Sequence, residues 1–134
     1  MVNAQSNFGL FDDFSMKSID VWENDKLLFF LEHGKHLAGT TKQQVKYIAR
    51  KALHYVLEIS QAADNTLTRT LYYFKDKSNF STRRIVPKPF ERQVIIHDAH
   101  HLGHYGVDKT ASDICSKFYW RNVWQQVEFS SIVV

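Results

Sequence analysis

The stretch Ile96 to Trp120 constrains this chain most. It places four histidines (His97, His100, His101 and His104) within eight residues, and an amphipathic run and an aromatic triplet, Phe118-Tyr119-Trp120, follow directly. Histidines this dense point to a metal site, because neutral imidazole is the commonest protein ligand for zinc. His100 and His104 are the best candidates. Their spacing can aim both imidazoles at one point where a helix runs into a turn, and Gly103 and Gly106 are expected to let that turn close tightly. His97 and His101 are substitute ligands on paper, but four ligands from so short a run would strain a tetrahedron. The plain reading of those two is exposed residues at a helix end. The chain has one cysteine, Cys115. It falls on the stripe of Ala111, Ile114 and Phe118, so it reads as a small buried hydrophobe rather than a ligand.

The remaining sequence divides by periodicity. Ser18 to His33 reads as a first helix, capped by Ser18 and ended by Gly34, with Trp22, Leu27, Leu28, Phe30 and Leu31 on its buried side. A second helix starts at Thr41, where Thr41 and Gln44 form a capping-box pattern. Val45, Ile48, Ala49, Ala52 and Leu53 then recur at helical spacing. Its other side carries Lys42, Lys46, Arg50 and Lys51 without an acid, which is either a solvated face or a surface for phosphates.

From His54 the period becomes that of strands. His54 to Ile59 and Thr68 to Phe74 are expected to form an antiparallel hairpin around a polar loop, and Arg83 to Val86 a short third strand. Pro87 and Pro89 mark a boundary, since proline keeps its predecessor out of helical geometry and suits the first turn of a new helix. Three helices are expected beyond it. Their apolar stripes are Phe90, Val94, Ile95 and Ala99; then Val107, Ala111, Ile114, Cys115 and Phe118; then Val123 and Val127 with Trp124 and Phe129. The expected fold class is therefore α+β and mainly helical. N-terminal helices and a small antiparallel hairpin or sheet precede a three-helix, helix-turn-helix-like bundle. The segments are a leader over 1–17, an extension over 18–86 and the bundle over 87–134.

Composition supports a globular chain, with 44% hydrophobic and 14% aromatic residues. A formal charge of +3 permits nucleic-acid contact without demanding it. A single cysteine rules out an internal disulfide framework and fits a reducing compartment. No secretory leader is apparent, and the longest apolar run, Leu27 to Leu31, is too short to span a membrane.

The residues His100, His104-Tyr105-Gly106-Val107-Asp108-Lys109-Thr110 and Phe118-Tyr119-Trp120 resemble the N-terminal zinc-binding domain of retroelement integrases. This is the His-His-Cys-Cys module of retroviral and Gypsy-class enzymes, and the likeness is specific over about Ile85 to Phe129. The resemblance implies a zinc-organised helical bundle of retrotransposon origin, involved in DNA integration, that contacts DNA ends and helps the integrase multimerise in the nucleus. It also implies a pair of cysteines after the third helix. At that place this chain reads Ser130, Ser131, Ile132, Val133 and Val134, so the zinc site is expected to be incomplete.

Integrase chemistry needs a separate carboxylate-bearing core downstream, and no such region, phosphate loop or nucleophile elbow is seen. The chain is therefore expected not to be an enzyme and to take no small-molecule substrate. Its expected role is a nucleic-acid-binding or multimerisation module. The candidate contacts are Lys42, Lys46, Arg50 and Lys51 on the second helix, and Arg83, Arg84, Lys88 and Lys109 near the bundle. The alternatives are a protein-interaction module working through Tyr119, Trp120 and Trp124, by self-association or with another protein, or a non-functional truncated isoform.

Overall fold

A computed structural model describes residues 16–103 and 106–133. The fold is mixed α and β, mainly helical. It divides between Leu57 and Glu58 into two compact units.

In the first unit, the helix expected from Ser18 is interrupted. A 3-10 turn, Val21–Glu23, leads into α1, Asp25–His33. The reason is a pair of side-chain caps. Asp20 accepts from the Trp22 amide, and Asn24 accepts from the Leu27 amide at 3.2 Å. Each satisfies a donor that a continuous helix would have bonded internally, so the chain restarts at Asn24. Gly34 ends α1 in the left-handed region, φ 72°, as expected.

Helix α2, Lys42–Ala52, carries the full capping box of Thr41 and Gln44. Gln44 is buried because its carboxamide oxygen takes two donors, the Thr41 amide at 3.0 Å and Lys26 Nζ at 2.8 Å. The inward face of α2 is therefore Gln44, Tyr47 and Ile48. The predicted Leu53 and Ala49 stand exposed instead. Met16, Leu27 and Ile48 form the core, with Val21, Phe30, Leu31 and Tyr47 packed on it.

The boundary between units falls within β1, Tyr55–Gln61. With β2, Leu67–Tyr73, and β3, Arg84–Ile85, it makes a three-stranded sheet in the order β1-β2-β3. The β1–β2 loop closes through Asn65, which takes φ 67°, a conformation that asparagine tolerates. Strand β3 runs antiparallel to β2, with Tyr72 opposite Ile85 and Tyr73 opposite Arg84.

Three helices complete the second unit: α3, Pro89–Gly103; α4, Val107–Lys117; and α5, Val123–Val133. Helix α3 begins at Pro89, the proline expected to suit its first turn, and the Glu91 carboxylate caps it by accepting from the Lys88 amide at 2.9 Å. Ile96, Ala111, Ile114, Trp120, Val123 and Val127 form the core. The stripe of α4 matches expectation. That of α3 holds in part: Ile95 and Ala99 pack on the core, but its centre is Ile96 at 1% exposure, whereas Phe90 and Val94 are 75% and 59% exposed. On α5, Trp124 and Phe129 also face outward, at 47% and 67% exposure, leaving Val123 and Val127 inside.

Bundle and sheet are joined through the aromatic triplet. Phe118 makes a parallel bridge to Ile85, and the Tyr119 amide donates to the Ile85 carbonyl at 2.9 Å. The triplet is thus partly an edge of the sheet.

Candidate nucleic-acid and metal sites

His97, His100 and His101 lie in the last turns of α3. His97 and His101 are exposed and their rings stack at 5.9 Å with an interplanar angle of 9°. His97 Nδ1 lies 3.7 Å from Asp98 at the surface. His100 is half-buried on a different side of the helix. His104 lies outside the described residues. Gly106 has φ −66°, ordinary extended backbone, so it does not supply the special turn expected of a glycine.

Cys115 is half-buried and packs on the α3–α4–α5 core. Burial pushes its thiol above the usual range, with the nearby Arg84 charge opposing. A zinc ligand must instead be a thiolate, which a cationic or metal-bound setting favours and an apolar one opposes. Among the described residues no three histidine, cysteine or acidic side chains converge as a metal cage. These donors do not fit a closed tetrahedral zinc site.

The basic residues separate into two kinds. Lys42, Lys46 and Arg50 recur every four residues along α2 and are exposed, with Lys51 half-buried beside them. Lys51 Nζ stands 5.7 Å from the centre of the Tyr47 ring. The opposite face is anchored in the core by Ile48, so this row is held outward. From Lys35 to Leu57 the sequence has no acidic residue. The cations of α2 thus have no neighbouring carboxylate in sequence to neutralise them.

Near the bundle the cations have local work. Tyr73 and Tyr119 stack at 3.7 Å and 8°, and the Arg84 guanidinium lies 5.2 and 5.0 Å from their centres. Arg84 Nη1 also donates to the Cys115 carbonyl at 3.3 Å. Arg83 covers the Tyr72 ring at 5.4 Å. Lys109 pairs with Asp113, one turn along α4, at 3.5 Å. Lys88 is half-buried at the start of α3.

Arg92, a charged residue that helical periodicity alone assigns to solvent, is buried. Its Nε and Nη2 donate to the Pro87 carbonyl at 3.2 and 3.1 Å, and its guanidinium lies 5.8 Å from the Trp120 ring centre. Trp120 is itself buried, its indole N–H donating to Gln126 at 2.8 Å. Of the three aromatics expected at an interaction surface, Trp120 belongs to the core and Tyr119 is stacked on Tyr73. Trp124 remains available at the surface.

Residues 87–129 match the family model described as the integrase zinc binding domain. Neither the curated proteins nor the solved structures gave a match to the chain. Among the described residues no helix is long and apolar enough to cross a membrane.

Proposed function

With residues 87–129 an integrase zinc-binding domain, we propose that this integrase-related chain is a non-catalytic nucleic-acid-binding module of Gypsy-class retrotransposon origin, acting in the nucleus. The observation that carries the proposal is the exposed cationic row of α2, Lys42, Lys46 and Arg50, with Lys51 beside it, in a stretch of sequence without an acid. A helix whose inner face is fixed by Ile48 presents these charges at a regular rise, suited to successive phosphates. Arg83 and Lys88 are further candidate contacts, in the second unit, whereas Arg84 serves mainly to hold Tyr73 and Tyr119. The family's zinc chemistry, if retained, would use His100 and His104 as its histidine ligands. In such a site zinc supplies folding free energy rather than catalysis.

The test is duplex affinity as a function of salt. Contacts to phosphates release counterions, so the logarithm of affinity should fall linearly with the logarithm of salt, by about 0.9 per phosphate neutralised. We expect a slope of roughly −3 for the wild type, reduced by about 1–2 in Lys42→Gln/Lys46→Gln. A slope near zero, or one that the double variant leaves unaltered, sinks the reading.

A second reading has its own observation. Trp124 and Phe129 are large exposed apolar side chains on α5. They suit self-association or a protein partner, as expected of a multimerisation module. Sedimentation of Trp124→Ser beside the wild type distinguishes this reading, because it predicts a mass that falls with the variant and responds little to salt.

A further inference from the structure

In the first unit, Lys17, Tyr47, Arg50, Lys51 and His54 line an open cavity of about 390 Å³. Four of them, Tyr47, Arg50, Lys51 and His54, come from one side of α2 and its exit at intervals of three, one and three residues. Lys17 comes from a separate part of the chain. Cations in the last turn of α2 complement the helix dipole, which accounts for Arg50 and Lys51. Lys17 reaches the same cavity from outside α2, and His54 joins it from past the helix end. None of the described lining residues is acidic.

Three permanent cations and an imidazole around one concavity are matched by a compact, multiply charged anion. Arg50 offers a planar fork of donors, and Lys17 and Lys51 offer point charges, the combination that recognises phosphate oxygens. The volume lies within the range of small-ligand pockets and suits a single nucleotide. Tyr47 supplies an aromatic ring at the same cavity, against which a flat base can rest. We propose that this cavity binds the phosphate of one nucleotide, either free or at the end of a nucleic-acid strand. This deepens the nucleic-acid reading and rests on it only for the source of the phosphate.

The experiment titrates the full chain with inorganic phosphate, adenosine monophosphate, adenosine, and a short single strand with and without a terminal phosphate. Tyrosine and tryptophan fluorescence and calorimetry give the readout. Adenosine monophosphate should bind in or below the millimolar range and be displaced by inorganic phosphate, while adenosine should not bind. Lys17→Gln and Arg50→Gln should each weaken it about tenfold, the effect of losing one charge-assisted hydrogen bond. Arg50→Lys should retain most of the affinity. Lys17 and Arg50 are exposed, so these changes remove no core contact, and circular dichroism checks the fold.

If the terminally phosphorylated strand binds more tightly than the free nucleotide, the source is a strand end; the reverse order assigns a free nucleotide. Equal binding of adenosine and its monophosphate overturns the proposal, as does unaltered affinity in both Gln variants or no binding of either phosphate probe. Duplex titrations run in parallel separate the two readings. Retained duplex binding without nucleotide binding removes the cavity alone, and nucleotide binding without a duplex salt slope removes the reading of α2 alone.

Discussion

Arg84 shows how one residue can be claimed by the fold and by function at once. As a bare sequence feature it is half of an Arg-Arg pair and a candidate phosphate contact. In the structure its guanidinium lies against two stacked tyrosines and donates to the Cys115 carbonyl. A partly desolvated cation–π contact contributes about 1–2 kcal/mol, and a charged hydrogen bond about as much again. Arg84→Ala should therefore lower unfolding stability by roughly 2 kcal/mol, and Arg84→Lys should recover less than half, because an ammonium lacks the planar fork. Urea unfolding measures both, and a loss below about 0.5 kcal/mol in the alanine variant would return Arg84 to the surface contacts.

The same cluster sets an alkaline limit. Burial raises the Cys115 thiol above its ordinary 9.0, opposed by Arg84. Burial first, then the neighbouring Tyr73, raises Tyr119 above 10.0, again opposed by Arg84. Both groups hold their protons more tightly folded than unfolded. Their contribution is thus complete below the ordinary values and declines as pH rises through the folded ones. Stability should fall above about pH 9, and Cys115→Ala and Tyr119→Phe should each flatten that fall. A profile that stays level or rises in this range contradicts the arrangement.

At the scale of elements, α3 separates what a hydrophobic pattern can and cannot show. Its existence and start were legible from Pro87, Pro89 and the period beyond them. Its buried face was legible only in part, with Ile95 and Ala99 on the core but not Phe90 or Val94, because the helix reads almost equally apolar in two directions. The deciding contacts are polar: Arg92 turns inward to bond the Pro87 carbonyl and cover Trp120, and this rotation brings Ile96 into the core while Phe90 and Val94 turn out. An arginine marks solvent in any periodicity count, so the signal pointed the other way. Ile96→Ala should cost about 2–4 kcal/mol by leaving a cavity, and Val94→Ala less than about 0.5. Comparable losses would restore the face expected from sequence. Helix α1 teaches the same lesson, since Asn24 stops one helical segment and starts another inside a stretch expected to be a single helix. The candidate sites divide likewise. The cationic row on α2 was legible because charge at helical spacing survives folding unchanged. The cavity was not, because Lys17 joins it only through the tertiary fold, although Tyr47, Arg50, Lys51 and His54 did share a helical face that could have flagged it.

For the whole molecule, the open issue is what holds the second unit together if zinc does not. Structural zinc contributes on the order of 10 kcal/mol in small metal-organised domains. The described donors form no such cage, yet Ile96, Ala111, Ile114, Trp120, Val123 and Val127 make one buried cluster. At roughly 1.5–3 kcal/mol for each large apolar side chain, that cluster alone matches the contribution of a metal. The bundle is further tied to the sheet by the Ile85–Phe118 bridge and the Tyr119 amide, neither of which involves a histidine. Removing metal with a chelator should therefore leave helical content unaltered. Adding zinc should raise the melting temperature by no more than about 2–3 °C, since a weakly held ligand near its dissociation constant adds well under 1 kcal/mol. His100→Ala should change neither result appreciably. Stoichiometric, tight zinc uptake with a large rise in melting temperature, abolished by His100→Ala, would instead mean that this domain still folds around its metal.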